Sequence, residues 1–140
     1  MLDTNAVLDW LVFRDPAMDA LQSALDEARL TLVTHQPAVD ELHRVLAYPQ
    51  CKLAASEQAE VLRHYQSRTC IVTLPEDRPV LPENFPRCRD PDDQHFLALS
   101  YHIQAAALVT KDKEVLRLRR RAAKFGLTIL NTPQLRALLS

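Results

Sequence analysis

Short apolar runs alternate with helix-like segments along the whole chain, and this alternation constrains the fold more than any other feature of the sequence. The runs are Met1-Leu2, Leu30-Thr31-Leu32-Val33, Cys70-Ile71-Val72-Thr73-Leu74, Ala106 to Thr110 and Leu127-Thr128-Ile129-Leu130. Each is short and bounded by turn or capping residues, as strands are. Between them the apolar residues recur at helical spacing. Val7, Leu8, Leu11 and Val12 mark a helix over 6–13, and Ala20, Leu21, Ala24, Leu25 and Ala28 mark one over 16–28 opened by Pro16. Further helices are predicted over 37–47, over 56–67 with Ser56 as its cap, over 92–104 capped by Asp92 or Asp93, over 113–125 and over 132–139. Strands separated by helices imply an α/β fold, with a mostly parallel sheet covered by helices on both faces.

The chain has 140 residues, 47% of them hydrophobic, which is enough for one domain over 1–140 with a real core. Its single glycine, Gly126, excludes a P-loop and a GxGxxG dinucleotide site, both of which need several. That glycine falls where the helix over 113–125 should end. Three widely spaced cysteines, Cys51, Cys70 and Cys88, make neither a disulfide framework nor a zinc knuckle. No apolar run is long enough to span a bilayer, and no signal-peptide pattern opens the chain, which predicts a cytoplasmic protein without a membrane partner. The stretch 75–91 holds five prolines (Pro75, Pro79, Pro82, Pro86 and Pro91) and no period, and it reads as one long loop. Charge is uneven. The net value is −1, yet residues 110–140 carry eight Lys/Arg against two acids. An acidic pocket and a basic surface on one molecule suit a polyanion held through cations.

In a doubly wound sheet, function gathers beyond the carboxyl ends of the strands, where strand order reverses. Asp3 follows the first run and Asp112 the fourth. Asp93 opens the helix that leads into the fourth run, and Glu41 lies one turn into the helix after the second. Taken singly, each has an ordinary reading as a strand-end, capping or solvated helix acid. Taken together, they converge on one rim. Converging carboxylates repel one another unless some are protonated or a cation sits among them. An oxygen-only donor set suits Mg²⁺ or Mn²⁺ rather than zinc.

The series Asp3-Thr4-Asn5, Val39-Asp40-Glu41-Leu42, Asp93-Gln94-His95-Phe96-Leu97-Ala98-Leu99 and Thr110-Lys111-Asp112 resembles the PIN-domain nucleases. More narrowly, it is similar to the VapC-like toxins of bacterial toxin–antitoxin systems. The resemblance covers nearly the whole chain. It implies a three-layer α/β/α fold with a five-stranded, mostly parallel sheet in the order 3-2-1-4-5. It implies a metal-dependent endoribonuclease, with Asp3, Glu41, Asp93 and Asp112 as catalytic and metal-binding residues around one or two Mg²⁺ or Mn²⁺ ions. Asn5 and Thr110 match polar positions that orient the acids, and Asp90 is a further ligand or an outer partner on the same loop. The implied partners are an RNA substrate, a cognate antitoxin and a second copy of the chain. The first run departs from the family in having only two apolar residues before its aspartate.

In the expected reaction, metal-activated water attacks phosphorus in line, with Asp93 or Asp112 accepting its proton. Arg117, Arg120, Arg121 and Lys124 share one side of the predicted helix over 113–125, and with Lys111 they form a candidate phosphate track for RNA. The ordinary reading of that side is a solvated face with ion pairs. The five histidines show no metal-ligand spacing and read as structural or surface residues, with His95 nearest the acids. Trp10 reads as core, or as part of a dimer interface if exposed. A catalytically silent RNA- or protein-binding module on the same fold is the alternative reading. A phosphoryl-acceptor domain is disfavoured, because the third and fifth runs are not followed by the acid and lysine it needs.

Overall fold

The computed structural model describes residues 1–140. It contains the strands β1 (Leu32–Thr34), β2 (Thr69–Ile71), β3 (Leu108–Val109) and β4 (Ile129–Leu130). The helices are α1 (Thr4–Leu11), α2 (Asp19–Asp26), α3 (Gln36–Leu46), α4 (Ala55–Arg68), α5 (Pro91–His102), α6 (Lys113–Leu116), α7 (Arg119–Ala123) and α8 (Thr132–Leu139). Two 3₁₀ turns, Pro16–Met18 and Pro49–Cys51, complete the order. No helix is long and apolar enough to cross a membrane.

The strands form two parallel pairs, β1 with β2 and β3 with β4. Leu2 adds a single parallel bridge to Val109. Around it the Asp3 N–H donates to the Val109 carbonyl at 3.0 Å, and the Val109 N–H donates to the Met1 carbonyl at 2.9 Å. The pairings expected of the third run with the second, the first with the fourth, and the fourth with the fifth are therefore present. The pairing of the second run with the first is not, so one continuous five-stranded ladder does not form. The physical reason is the length of the first run: two residues reach one neighbour and then turn into α1. Residues 1–3 thus lie at a seam between two half-sheets. Two apolar clusters cover the two faces of the strands, and each draws on both halves: one joins Leu32, Leu42 and Tyr65 to Leu2 and Val109, the other joins Ala38 to Phe96, Leu97, Leu99 and Leu108.

Several local expectations are corrected. α1 begins at Thr4 rather than Ala6, because the Asp3 carboxylate accepts the Ala6 N–H at 2.9 Å and caps it. The helix expected over 16–28 becomes a 3₁₀ turn and then α2, with Arg14 and Ala28 at left-handed φ values of 50° and 55° on either side. Ser56 is not the cap of α4; Ala54 occupies that position, and the Glu57 carboxylate accepts its N–H at 2.9 Å. α5 is capped by Asp90, whose carboxylate accepts the Asp92 N–H at 2.9 Å, rather than by Asp92 or Asp93. The helix expected over 113–125 is broken at Arg117–Leu118, where the Leu118 N–H bonds the Val115 carbonyl in a tightened turn. Gly126 takes a φ of 79° and redirects the chain from α7 into β4.

The proline-rich stretch 75–91 is anchored from inside. Phe85 is buried, with ring centroids 5.0 Å from Tyr101 and 5.5 Å from Phe125. The Gln94 side chain fastens its end, donating to the Pro86 carbonyl at 3.1 Å and accepting the Cys88 N–H at 2.7 Å. That clasp sets where α5 starts, and so where Asp93 projects.

Candidate functional site

A cavity of about 360 Å³ opens at the carboxyl edge of the half-sheets, and Asp3, Asn5, Glu41, Asp93 and Asp112 all line it. Each acid arrives by a different route. Asp3 leaves the seam and is buried beneath the start of α1. One of its oxygens takes the Ala6 N–H, and the other takes a short hydrogen bond from the Thr110 hydroxyl. Thr110, fully buried at the end of β3, also accepts the Asp112 N–H at 3.0 Å. A single hydroxyl therefore ties together the two strand-end acids. The Asp112 carboxylate in turn caps α6 by accepting the Glu114 N–H at 2.8 Å.

The helix-borne acids are held by side chains instead. Glu41, half-buried on α3, accepts the Thr4 hydroxyl at 2.6 Å. His95 Nε2 on α5 stands 3.5 Å from the same carboxylate oxygen. His95 Nδ1 lies 2.9 Å from Nε2 of His35, the residue that precedes α3. This chain from His35 through His95 to Glu41 was missed by the sequence reading, which placed all five histidines in structural or surface roles. The available signal was position: His35 ends the second run, and His95 follows Asp93 by two residues. Thr4 was missed as well.

Electrostatics at the cavity follow from burial and crowding. Burial pushes the Asp3 carboxyl up to about 6, offset by the Thr110 and Ala6 hydrogen bonds and raised again by the charges of Asp112 and Glu41. Burial, the charges of Asp112 and Asp90, a hydrogen bond with Asp112 and the charge of Asp3 push Asp93 up to about 7. Glu41 goes the other way. Burial alone would raise it, but the hydrogen bonds from His95 and Thr4, with the nearby Arg44 guanidinium, hold it below its ordinary value. Burial, with the nearby Asp93, Asp112 and Asp90, pushes the Cys88 thiol up to about 12 and keeps it protonated. Cys51, Cys70 and Cys88 are all free thiols.

The remaining candidates lie elsewhere. Asp90 is spent as the cap of α5 and does not line the cavity, although its charge reaches Asp93. Lys111 turns to Asp9, a buried acid of α1, with Nζ 2.9 Å and 3.0 Å from its two oxygens. Arg117 pairs with Glu114 at 2.9 Å. Arg121 and Lys124 line a separate depression of about 570 Å³ beside Arg87, and Arg120 is exposed. The break at Arg117–Leu118 removes the single helical face these cations were expected to share. Trp10 is buried, and its indole N–H donates to Gln22 at 2.9 Å. Phe13 and Tyr48 are the exposed aromatics at the cavity wall.

The donor chemistry of the cavity matches a hard divalent cation. Four carboxylates share it, and burial and neighbouring negative charge push two of them up; Cys51 also lines the cavity, but its thiol is turned to the Val45 carbonyl. No three His, Cys, Asp or Glu side chains form a closed cage as they stand.

A family model described as PIN domain matches residues 1–114. The match spans all four cavity acids and ends before α7. No curated protein and no solved structure matches the chain.

Proposed function

The chain belongs to the PIN-domain family, whose members are generally nucleases, and from that premise we propose that it is a divalent-metal-dependent endoribonuclease. The observation that carries the proposal is the cavity in which Asp3, Glu41, Asp93 and Asp112 meet, with Asp3 and Asp93 displaced to about 6 and about 7. Carboxylates crowded to that degree are poised to release protons to solvent when a cation takes their place. Asp3, Glu41, Asp93 and Asp112 would hold one or two Mg²⁺ or Mn²⁺ ions. Such ions supply charge neutralisation at phosphate and lower the pKa of bound water.

The chain's own residues do the positioning. Thr110 holds Asp3 and Asp112 in register across the seam, and Thr4 holds Glu41 from the first turn of α1. Asn5 reaches the same cavity from α1 with its amide free to meet a phosphate oxygen. Asp93 or Asp112 accepts the proton of the attacking water. The basic residues Arg117, Arg120, Arg121 and Lys124 do not line the cavity and would grip RNA outside it, through the exposed Arg120 and the Arg121–Lys124 depression.

The finer assignment is a toxin restrained by an antitoxin and working as a homodimer in the cytoplasm. It rests on the resemblance of the four acid-bearing segments. The exposed Phe13 and Tyr48 at the cavity wall offer apolar contact for either protein partner. A silent RNA- or protein-binding module is the second reading, favoured by the lack of a closed three-residue cage.

The test is cleavage of labelled structured and single-stranded RNAs with Mg²⁺, Mn²⁺ or EDTA, beside an identically prepared Asp93→Asn protein. Cutting that needs metal and disappears in the variant supports the nuclease. Equal cutting by the variant, or cutting in EDTA, overturns it. A folded protein that binds RNA and metal without cutting supports the second reading.

A further inference from the structure

Glu41 is the one cavity acid carried on the body of a helix and yet held ionised, and the hydrogen-bonding inventory of its neighbours shows how. A carboxylate only accepts hydrogen bonds. Thr4 donates to Oε2 from one side. On the other side the facing atom is His95 Nε2 at 3.5 Å, so attraction requires that this nitrogen carry the hydrogen. With its hydrogen on Nε2, a neutral His95 ring presents Nδ1 as an acceptor. The atom meeting Nδ1 at 2.9 Å is His35 Nε2. His35 must then donate.

His35 is placed to do so. It is buried at the end of β1, with its ring centroid 5.1 Å from that of His95. Burial pushes it down to about 4, so it is a neutral ring with one N–H to give. Phe96 packs on the other side of His95 at a centroid distance of 4.0 Å and limits how that ring can turn. The two histidines come from opposite half-sheets, one following β1 and one on α5, so the pair also spans the seam.

We propose that His95 is a positioning residue for Glu41, donating from Nε2 to its carboxylate, and that His35 sets the direction of that donation by donating to His95 Nδ1. The role rests on the reading of the cavity as a cation site. It parallels the outer partners that orient ligands at metal centres, whose loss costs about 10–100-fold in metal affinity or activity. Here the orienting group is an imidazole pair acting on a carboxylate.

Two measurements test it. The first needs no metal: ¹⁵N shifts of the His95 ring at neutral pH in the full chain. Hydrogen on Nε2 with a bare Nδ1 is expected; hydrogen on Nδ1 with a bare Nε2 overturns the proposal. The second is Mn²⁺ titration by electron paramagnetic resonance of the parent, His95→Leu, His95→Gln and His35→Leu, each checked for folding by its Tm. His95→Leu should weaken Mn²⁺ by about 10–100-fold. His95→Gln, whose amide nitrogen reaches the place of Nε2, should recover most of that loss, and His35→Leu should show a smaller one. A parent that binds Mn²⁺ as tightly as folded His95→Leu overturns the positioning role alone. A Gln variant as weak as the Leu variant does the same, since it assigns the effect to packing. A parent that binds no Mn²⁺ overturns the cation-site reading itself, whatever the His95 tautomer.

Discussion

Asp3 and Asp112 each accept a backbone N–H, whereas Glu41 and Asp93 are held by other side chains or by little at all. The strand-end pair cap the helices that follow them, accepting the N–H groups of Ala6 and Glu114, and Thr110 joins the two. Their positions follow from where a strand stops and a helix starts. Glu41 depends on Thr4 and His95, which reach it from separate elements, and Asp93 stands among negative charges. The difference separates the acids tied to the N-terminus of the helix that follows them from those fixed only by side chains and charges of other elements.

The largest effect should come from the locally held pair. Asp3→Asn should lower RNA cleavage by at least about 10²–10³-fold, the scale of losing one preorganised electrostatic group. The amide oxygen still accepts the Ala6 N–H, so the circular dichroism spectrum should be unchanged. Full metal-dependent activity in a folded Asp3→Asn protein would break the comparison at its strongest point.

Next come the two threonines. Thr110→Val removes the hydroxyl shared by Asp3 and Asp112 and leaves a buried Asp3 oxygen without its partner. Such an orphan costs about 1–3 kcal/mol, so Tm and activity should fall together. Thr4→Val removes one of two donors to the half-exposed Glu41, so activity should fall by less and Tm should hardly move. Equal losses of stability in the two variants would erase the distinction between backbone-held and side-chain-held acids.

A smaller effect concerns stability without metal. Asp93 stands at about 7 in the folded protein against an ordinary 3.8. Folding therefore favours its protonated form. The stability this contributes is full below the ordinary value and is lost as pH rises through about 7. In EDTA at pH 8, Asp93→Asn should melt a few degrees above the parent, with the difference vanishing near pH 4. Added Mg²⁺ should raise the parent's Tm more than the variant's. A variant that melts lower than the parent at pH 8 in EDTA would show that Asp93 is not repelled by its neighbours.

The smallest effect belongs to the basic residues. Arg120→Ala with Arg121→Ala should weaken RNA binding modestly and flatten its salt dependence by about one to two charges, leaving the metal affinity alone. Unchanged salt dependence would mark these residues as solvated surface.

The same contrast decides what was legible in the sequence. The alternation of runs predicted the α/β class and the order of the elements, and the strand-end acids could be read as edge residues from their place after apolar runs. Capping was legible in type but not in register, because Asp90, Asp92 and Asp93 are all able caps within four residues and only the Gln94 clasp selects Asp90. The break at Arg117–Leu118 was invisible because Val115, Leu118 and Ala122 keep helical spacing across it. The His35–His95–Glu41 chain joins positions 60 residues apart and leaves no local pattern. The missing pairing between β1 and the first residues was illegible for the opposite reason: it depends on how few residues the first run contributes, and not on which they are.

That seam has a dynamic consequence. The halves have separate strand pairs, and residues 1–3 between them are paired on one side only, through the single bridge of Leu2 to Val109. Glu41 rides with one half, Asp93 and Asp112 with the other, and Asp3 sits on the join. Release of residues 1–3 from that single bridge would displace Asp3 from the other acids while both strand pairs stayed intact, below the free energy of complete unfolding. Amide exchange at Asp3 and Val109 should then track the loss of activity on warming, ahead of exchange at Val33 or Leu130. The protein would stop working before it stopped being folded, and anything that clamps the seam would raise the temperature at which it works.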